Sequence, residues 1–318
     1  MSTPGNTSSS PGEFVADRTE EKQRGDYDTL ESRDGRWRLA PGSPEFPRGT
    51  ILATDASISN PNINRIDLVS NPSLAVATYN IHKGFSHFNR RMILPHLRDK
   101  LRVLGSDVLF LQEVVGHNTR HAERHEHWPD QPQHEFLADQ VWTDFAYGKN
   151  AVYREGHHGN AILSRYPIVK WDNEDISTNP VEQRGMLHVE IAVPGWSENL
   201  HCVCVHLGLF APGRRRQVAA ICDRIETLVP HRAPLVLAGD FNDWRAKASE
   251  SLNALGVHEV FESTNGRIAR TFPARLPILT LDRIYIRGFE VKSTKIHHGL
   301  GWAKLSDHAA LAANLALI

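Results

Sequence analysis

From Leu74 onward the chain keeps returning to one pattern: a short apolar run joined to an asparagine, glutamate, aspartate or histidine at or near its end. LAVATYNI carries Asn80, DVLFLQEV carries Glu113, HCVCVHL carries His206, PLVLAGDF carries Asp240, and LDRIYI opens on Asp282. Each run is short enough for a strand and apolar enough to be buried. Between them lie segments with helical spacing. RRMILPHLRDKLRVLG repeats Ile93, Leu97, Leu101 and Leu104, with Pro95 suited to a first turn and Gly105 placed to end the helix. PGRRRQVAAICDRIETLVP sets Val218, Ile221, Cys222, Ile225 and Leu228 on one predicted face. AVY, NAILS, MLHVEIAV and the closing HAALAANLALI add further β candidates. Many strands, some joined by helices and others by tight turns, predict a layered α/β fold whose polar residues gather at strand ends.

The first 72 residues differ in kind. Residues 1–29 are rich in Ser, Pro, Gly and charge, and are expected to be disordered because they cannot bury enough surface to offset ordering entropy. Residues 30–72 read as an irregular extension, so the folded domain is placed at 73–318. No apolar run reaches membrane-spanning length, and the N-terminus lacks a basic segment followed by an apolar one. The three cysteines, Cys202, Cys204 and Cys222, sit in apolar patterns that suit packing better than a disulfide framework, which predicts a reducing, cytoplasmic setting. Lys and Arg number 36 against 37 Asp and Glu, for a net charge of −1. A chain that holds long nucleic acid usually carries a basic excess, and that excess is missing.

Taken singly, an Asp–Asn pair after a strand is a turn signal. Five blocks together, YNIHKG, LQEV, VHLG, GDFND and LDRIY with a later SDH, are harder to explain that way. Clustered carboxylates repel unless a cation or proton compensates them. Oxygen-rich sets of Asp, Glu and Asn suit Mg2+ or Mn2+ rather than zinc. A hard cation beside histidine–carboxylate pairs is suited to phosphoester hydrolysis, where charge develops on phosphoryl oxygens and a proton must be moved.

In this order the blocks resemble the endonuclease/exonuclease/phosphatase superfamily, which includes DNase I, abasic-site endonucleases, sphingomyelinases and inositol polyphosphate 5-phosphatases. Longer strings, among them NIHKGF, EGHHGNAILSRYPI, GDFNDW and LSDHA, resemble the bacterial YbhP-like subgroup. The resemblance implies a four-layered α/β sandwich, two packed mixed β-sheets flanked by helices, and Mg2+ (or Mn2+) as cofactor. It implies Glu113 as principal metal ligand, with Asn80 and Asp307 beside the metal. It further implies catalytic roles for His206, Asp240, Asn242, Asp282 and His308: Asp240 and Asn242 orient water and phosphate, and Asp282 hydrogen-bonds His308. His206 would contact the phosphate or protonate the leaving oxygen.

Four more residues are candidates for substrate binding. Asn160 is either a phosphate ligand or a turn residue. Arg184 is a bidentate phosphate clamp or a solvated surface cation. His82 and Lys83 follow Asn80 into the same region. Arg214, Arg215 and Arg216 open a helix, where cations oppose the dipole, and so suggest a nearby anion or a solvated turn. His121 and His125, spaced as zinc ligands on a helix, lack a matching second pair and read as a polar surface loop. Cys202, Cys204 and His206 share a strand face and read as packing. The expected partner is a phosphoester: a lipid head group, a small phosphodiester or a nucleic acid. Near-neutral charge favours the first two, and peripheral membrane contact is compatible with that choice. A catalytically silent scaffold of the same fold would have lost a key residue, and none is lost.

Overall fold

The computed structural model describes residues 30–33, 36–39, 73–86, 91–125 and 128–318. The expected disorder of residues 1–29 lies outside these. Of the extension at 30–72, only β1 (Leu30–Arg33) and β2 (Arg36–Leu39) are described, and they pair antiparallel.

Two six-stranded mixed sheets follow. The first contains β3 (Ser73–Asn80), β4 (Val108–Asn118), β5 (Asp144–Tyr153), β6 (Gly156–Ser164), β13 (Phe289–His297) and β14 (Ala310–Leu317), in the order β13-β14-β3-β4-β6-β5. The second contains β7 (Ile168–Asp175), β8 (Gly185–Ile191), β9 (Leu200–His206), β10 (Leu235–Asp240), β11 (His258–Glu259) and β12 (Asp282–Arg287), in the order β11-β12-β10-β9-β8-β7. Each sheet has one parallel pair joined by a helix: β3–α1–β4 through α1 (Leu94–Leu104), and β9–α4–β10 through α4 (Ala211–Leu228), with two short helices, α2 (Thr119–Arg124) and α3 (Gln133–Ala138), between them in the chain. A crossover helix is what a parallel pair requires. Pro95 stands in the first turn of α1, and Gly105 ends it at φ 66°.

The sheets pack face to face, and their outer faces are covered by helices. Alternation along each strand divides the side chains between layers. On β9, Cys202 and Cys204 face the other sheet, whereas Val203 and Val205 meet Val218, Ile221 and Ile225 of α4. On β4, Phe110 faces inward while Leu109 and Leu111 meet Leu97 and Leu101 of α1. This is the four-layered sandwich, and it explains why the runs are apolar throughout: both faces of each central strand are buried. Cys202 and Cys204 are buried and unpaired, as packing residues.

The predicted face of α4 needs correction. Leu228 is 47% exposed and Cys222 only half-buried, while Arg214, Gln217 and Arg224 are buried. Polar partners rotate the buried face. Arg224 reaches Asp172, Glu174 and His188 across the outer surface of the second sheet. Arg214 donates to the carbonyls of Gly208 and Leu209 and lies over the Trp244 ring, so backbone oxygens account for a cation in the first turn.

Candidate active site

The parallel pairs direct Asn80, Glu113, His206 and Asp240 to one edge of the sandwich. β12 runs antiparallel to β10 and therefore starts at that edge, with His206, Asp240 and Asp282 side by side in register. β14 pairs antiparallel with β3, so His308, two residues before it, arrives at the same place. Residues more than 200 positions apart meet because three strand ends, two strand starts and an irregularity within β4 coincide.

Local backbone then aims the side chains. Glu113 sits at φ 57° where the β4–β6 register slips between Leu111 and Val114. A bulge of this kind turns a side chain out of the pleat, here at a cost of about 1–2 kcal/mol for a left-handed glutamate. Gly239 has φ 148°, and a Cβ there would stand 1.9 Å from the Val205 carbonyl, so the residue before Asp240 must be glycine. Asn242, at φ 49°, donates its backbone N–H to Asp240 Oδ1 at 3.0 Å and its amide to the Leu207 carbonyl at 2.9 Å. Arg283, fully buried, donates to the carbonyls of Thr280, Asp282 and Asp243 and so fixes the approaches to Asp282 and Asn242.

Asp240 is the hub. Its Oδ2 lies 3.6 Å from His206 Nε2 and 3.7 Å from His308 Nε2, and accepts from Asn80 Nδ2 at 3.2 Å. The same Asn80 amide donates to Glu113 Oε1 at 3.3 Å, while its oxygen accepts the His82 N–H at 3.1 Å. Asn80 thus holds two carboxylates at a fixed spacing. His308 Nδ1 is 2.9 Å from Asp282 Oδ2, and the other oxygen of Asp282 is buried with no hydrogen-bond partner. Asp307 meets His82 Nδ1 at 3.2 Å, and Lys83 Nζ is 3.9 Å from Glu113.

The environment drives these groups apart in protonation. Burial pushes the Asp240 carboxyl up to about 6, with the Asp282 charge adding to it and His308 opposing. Burial alone would lower His308, but the Asp282 and Asp240 charges outweigh it and push the imidazole up to about 10. His206 is held well below its ordinary value by burial, then by the Arg184 and His308 charges. Two imidazoles flank one carboxylate, one cationic and one neutral at pH 7. Burial would raise Asp307, but the His82 hydrogen bond and the His308 charge hold it near 2.

Asn160 and Arg184 sit beside this cluster with their donors engaged. The Asn160 amide ties the two sheets together through the carbonyls of Gly185 (3.0 Å) and Cys204 (3.3 Å). Arg184 pairs with Glu182 at 3.0 Å and donates to the Leu207 carbonyl at 3.2 Å. Three contributors were not singled out from sequence. Ser306 binds the Asn80 carbonyl at 2.7 Å and accepts the His308 N–H at 3.1 Å, Thr271 accepts the Asp282 N–H at 3.2 Å, and Phe272 packs on the His308 ring. Ser306 lies inside the SDH block; Thr271 and Phe272 carry no sequence signal. His158 is a fourth, close enough to feel the Lys83, Glu113 and Arg184 charges. His121 departs from the expected loop and lies in a short helix, α2 (Thr119–Arg124), with His125 directly after it; both rings pack against Phe85 and Trp128, His121 stacked on Trp128.

Among the described residues, Asp240, Asp282 and His308 form a triad of donors within 4.8 Å of one another. Its His308 Nδ1 is already engaged by Asp282, so a shared proton satisfies it. The carboxylates of Glu113 and Asp307 supply the oxygen chemistry that Mg2+ prefers, and the unpartnered buried Asp282 oxygen leaves surplus negative charge for a cation to offset.

The family model described as "Endonuclease/Exonuclease/phosphatase family" matches residues 77–308, and the chain belongs to that family, whose members hydrolyse phosphoester bonds. Among its relatives, the uncharacterized protein YbhP of Escherichia coli K12 is 48% identical over 246 residues, covering 77% of this chain and 97% of that protein. Solved structures share the fold at lower identity. The Bacteroides vulgatus family member superposes with TM-score 0.61 at 20% identity, over 78% of this chain and all of its own. D. rerio TDP2 complexed with single-strand DNA product gives 0.57 at 19%, over 76% and 98% of the two chains.

Proposed function

We propose that the protein is a divalent-metal-dependent phosphodiesterase or phosphatase whose substrate is a lipid head group or small phosphodiester. The observation that carries this reading is the placement of Asp240 Oδ2 between His206 and His308, with Asn80 linking it to Glu113. Glu113 and Asp307 would hold Mg2+ or Mn2+, with Asn80 fixing the spacing of Glu113 and Asp240; when bound, the cation offsets charge on the phosphoryl oxygens. Asp240, a carboxylate above about pH 6, orients the attacking water and draws on its proton. His308, kept cationic by Asp282, has no free lone pair at neutral pH, so its part is to donate a hydrogen bond to the phosphoryl oxygen as negative charge develops. His206, neutral, contacts the phosphate. Asn242 holds the phosphate beside Asp240, and His82, Lys83, Asn160 and Arg184 line the substrate. The unpaired cysteines agree with a cytoplasmic location.

The test sets three substrates side by side, with and without Mg2+: a single-stranded oligonucleotide, a DNA duplex and anionic phospholipid vesicles, each repeated with His308→Ala. Metal-dependent, His308-dependent release from the lipid is expected. Cleavage of nucleic acid alone would replace the substrate assignment, and silence on all three would move it to a soluble phosphoester or a scaffold role.

A further inference from the structure

The loops at the two edges of the sandwich differ in what they expose. Those at 165–167, 192–199 and 229–234, on the edge away from the site, carry no exposed large hydrophobic residue, and the apolar side chains exposed near that edge (Val103, Val169, Leu228 and Ile318) sit singly on helix and strand termini. The loops on the site edge carry many. Val181 is 95% exposed, Leu276 73% and Phe210 71%, and Ile278, Leu300 and Trp244 are also exposed. These come from five separate loops, yet they form one rim. Leu209, beside Phe210, donates its N–H to Glu182, next to Val181. Arg214 joins the Leu209 carbonyl to the Trp244 ring. Thr280 donates to the Trp244 carbonyl, and the Leu276 loop reaches Gly299, next to Leu300, through the Ala274 carbonyl. Unrelated loops that all expose apolar tips around one mouth point to an interaction surface.

The rim is also cationic. A cleft of about 1030 Å3 beside Trp244 is lined by Arg245, Arg267 and Arg270, with Glu262 its one carboxylate. Arg245, Arg267, Arg270 and the neighbouring Arg275 are exposed, and none has an ion-pair partner among the described residues. Unpaired guanidinium groups attract anions, and aliphatic tips gain by leaving water. Aliphatic Val181, Leu276, Ile278 and Leu300 outnumber the two rings, Phe210 and Trp244, and give a nucleobase no face to stack on, so the combination fits a bilayer better than a nucleic acid.

We propose that this rim docks the protein onto an anionic phospholipid surface, with Leu276, Ile278, Phe210 and Val181 entering the interface and Arg245, Arg270 and Arg275 facing the lipid phosphates. The proposal deepens the lipid reading of the site and rests on it only for what happens after docking. Docking presents the strand-end cluster, which opens between these loops, to phosphoesters at the membrane surface. It also reconciles a net charge of −1 with an anionic partner, since the cations are local.

The test is co-sedimentation of the full chain with vesicles of neutral phosphatidylcholine, or of the same lipid with phosphatidylglycerol added. Turnover of a soluble aryl phosphodiester is measured in parallel. The chain should bind the anionic vesicles and not the neutral ones. Leu276→Ser with Ile278→Ser should lower the partition coefficient about tenfold or more while leaving soluble turnover intact, which also shows that the variant is folded. Arg270→Gln with Arg275→Gln should lower binding in proportion to the anionic lipid content. Vesicle binding unchanged in both double variants would overturn the proposal. So would rim-dependent dimers by light scattering, or rim-dependent oligonucleotide binding, without vesicle binding. His308→Ala should still bind vesicles. A wild-type chain that binds them through the rim but hydrolyses no phosphoester would retain the docking surface and discard the hydrolase reading.

Discussion

The second sheet buries histidine–carboxylate networks in two places, on its outer face and at its edge. On the outer face, Arg224 donates Nε–H to His188 Nδ1 at 3.2 Å, and its two terminal nitrogens pair with Asp172 (2.9 Å) and Glu174 (3.2 Å). His188 Nε2 then meets His201 Nδ1 at 3.0 Å, a chain of neutral imidazoles in which each contact has a partner. Burial and the Arg224 charge hold His188 near 3. At the edge, Asp240, Asp282 and Asp307 crowd around His308, and Glu113 is tied to Asp240 through Asn80, with too few cations among them. One Asp282 oxygen is orphaned, and Asp240 and His308 titrate far from their ordinary values. The residue types are the same. The closed network balances its charge internally and serves the packing of α4, whereas the open one balances only when something else binds.

The largest expected effect that separates the two is on turnover. Asp240→Asn should lower kcat by about a thousandfold or more, the scale of losing a positioned proton acceptor. Because burial raises this carboxyl, its ionised form destabilises the fold above about pH 6, so the same variant should keep or raise Tm. A Tm several degrees lower in thermal denaturation would make Asp240 a structural residue like those of the closed network. Next in size, Glu113→Gln should weaken apparent Mg2+ affinity about tenfold to a hundredfold, read as the metal concentration giving half-maximal turnover; an unchanged midpoint would place the metal elsewhere.

Arg224→Met inverts the pattern. It strips the charge from His188, Asp172 and Glu174 and should cost about 2 kcal/mol in chemical denaturation, discounted because both carboxylates are partly exposed, with kcat unchanged. The smallest effect is a pH slope. Burial lowers His134 and His157 from 6.5 to about 4, so the unfolded chain binds more protons between those values. Their contribution is complete above about pH 6.5 and is lost as pH falls towards 4. His134→Phe should flatten the stability–pH curve in that window by at most one proton; an unaltered slope would show that His134 does not titrate there.

What the sequence made legible follows from local chemistry. Doubly buried strands must be apolar along their whole length, so β3, β4, β9 and β10 and the polar residues at their ends were readable without a structure. The pairing that brings His206, Asp240 and Asp282 into register is a long-range choice and leaves no local mark. Glu113 was visible as a carboxylate, but the bulge that aims it was not, because nothing in LQEV requires a left-handed residue. Leu228 was misplaced and Arg224 overlooked on α4 for one reason: an apolar-face count cannot anticipate a buried guanidinium satisfied by three partners on a distant sheet. Thr271 and Ser306 act through backbone contacts of a kind that a hydroxyl in any loop can make, so their sequence neighbourhood does not mark them.

The most direct test of the central claim is turnover of a soluble phosphodiester by the full chain, before and after chelation, beside Asp240→Asn. Hydrolysis that stops on chelation, returns with Mg2+ or Mn2+, and is absent in Asp240→Asn is the predicted result. Hydrolysis that survives chelation, or proceeds at the wild-type rate in Asp240→Asn, would contradict the account of the strand-end cluster as a metal-dependent phosphoesterase site.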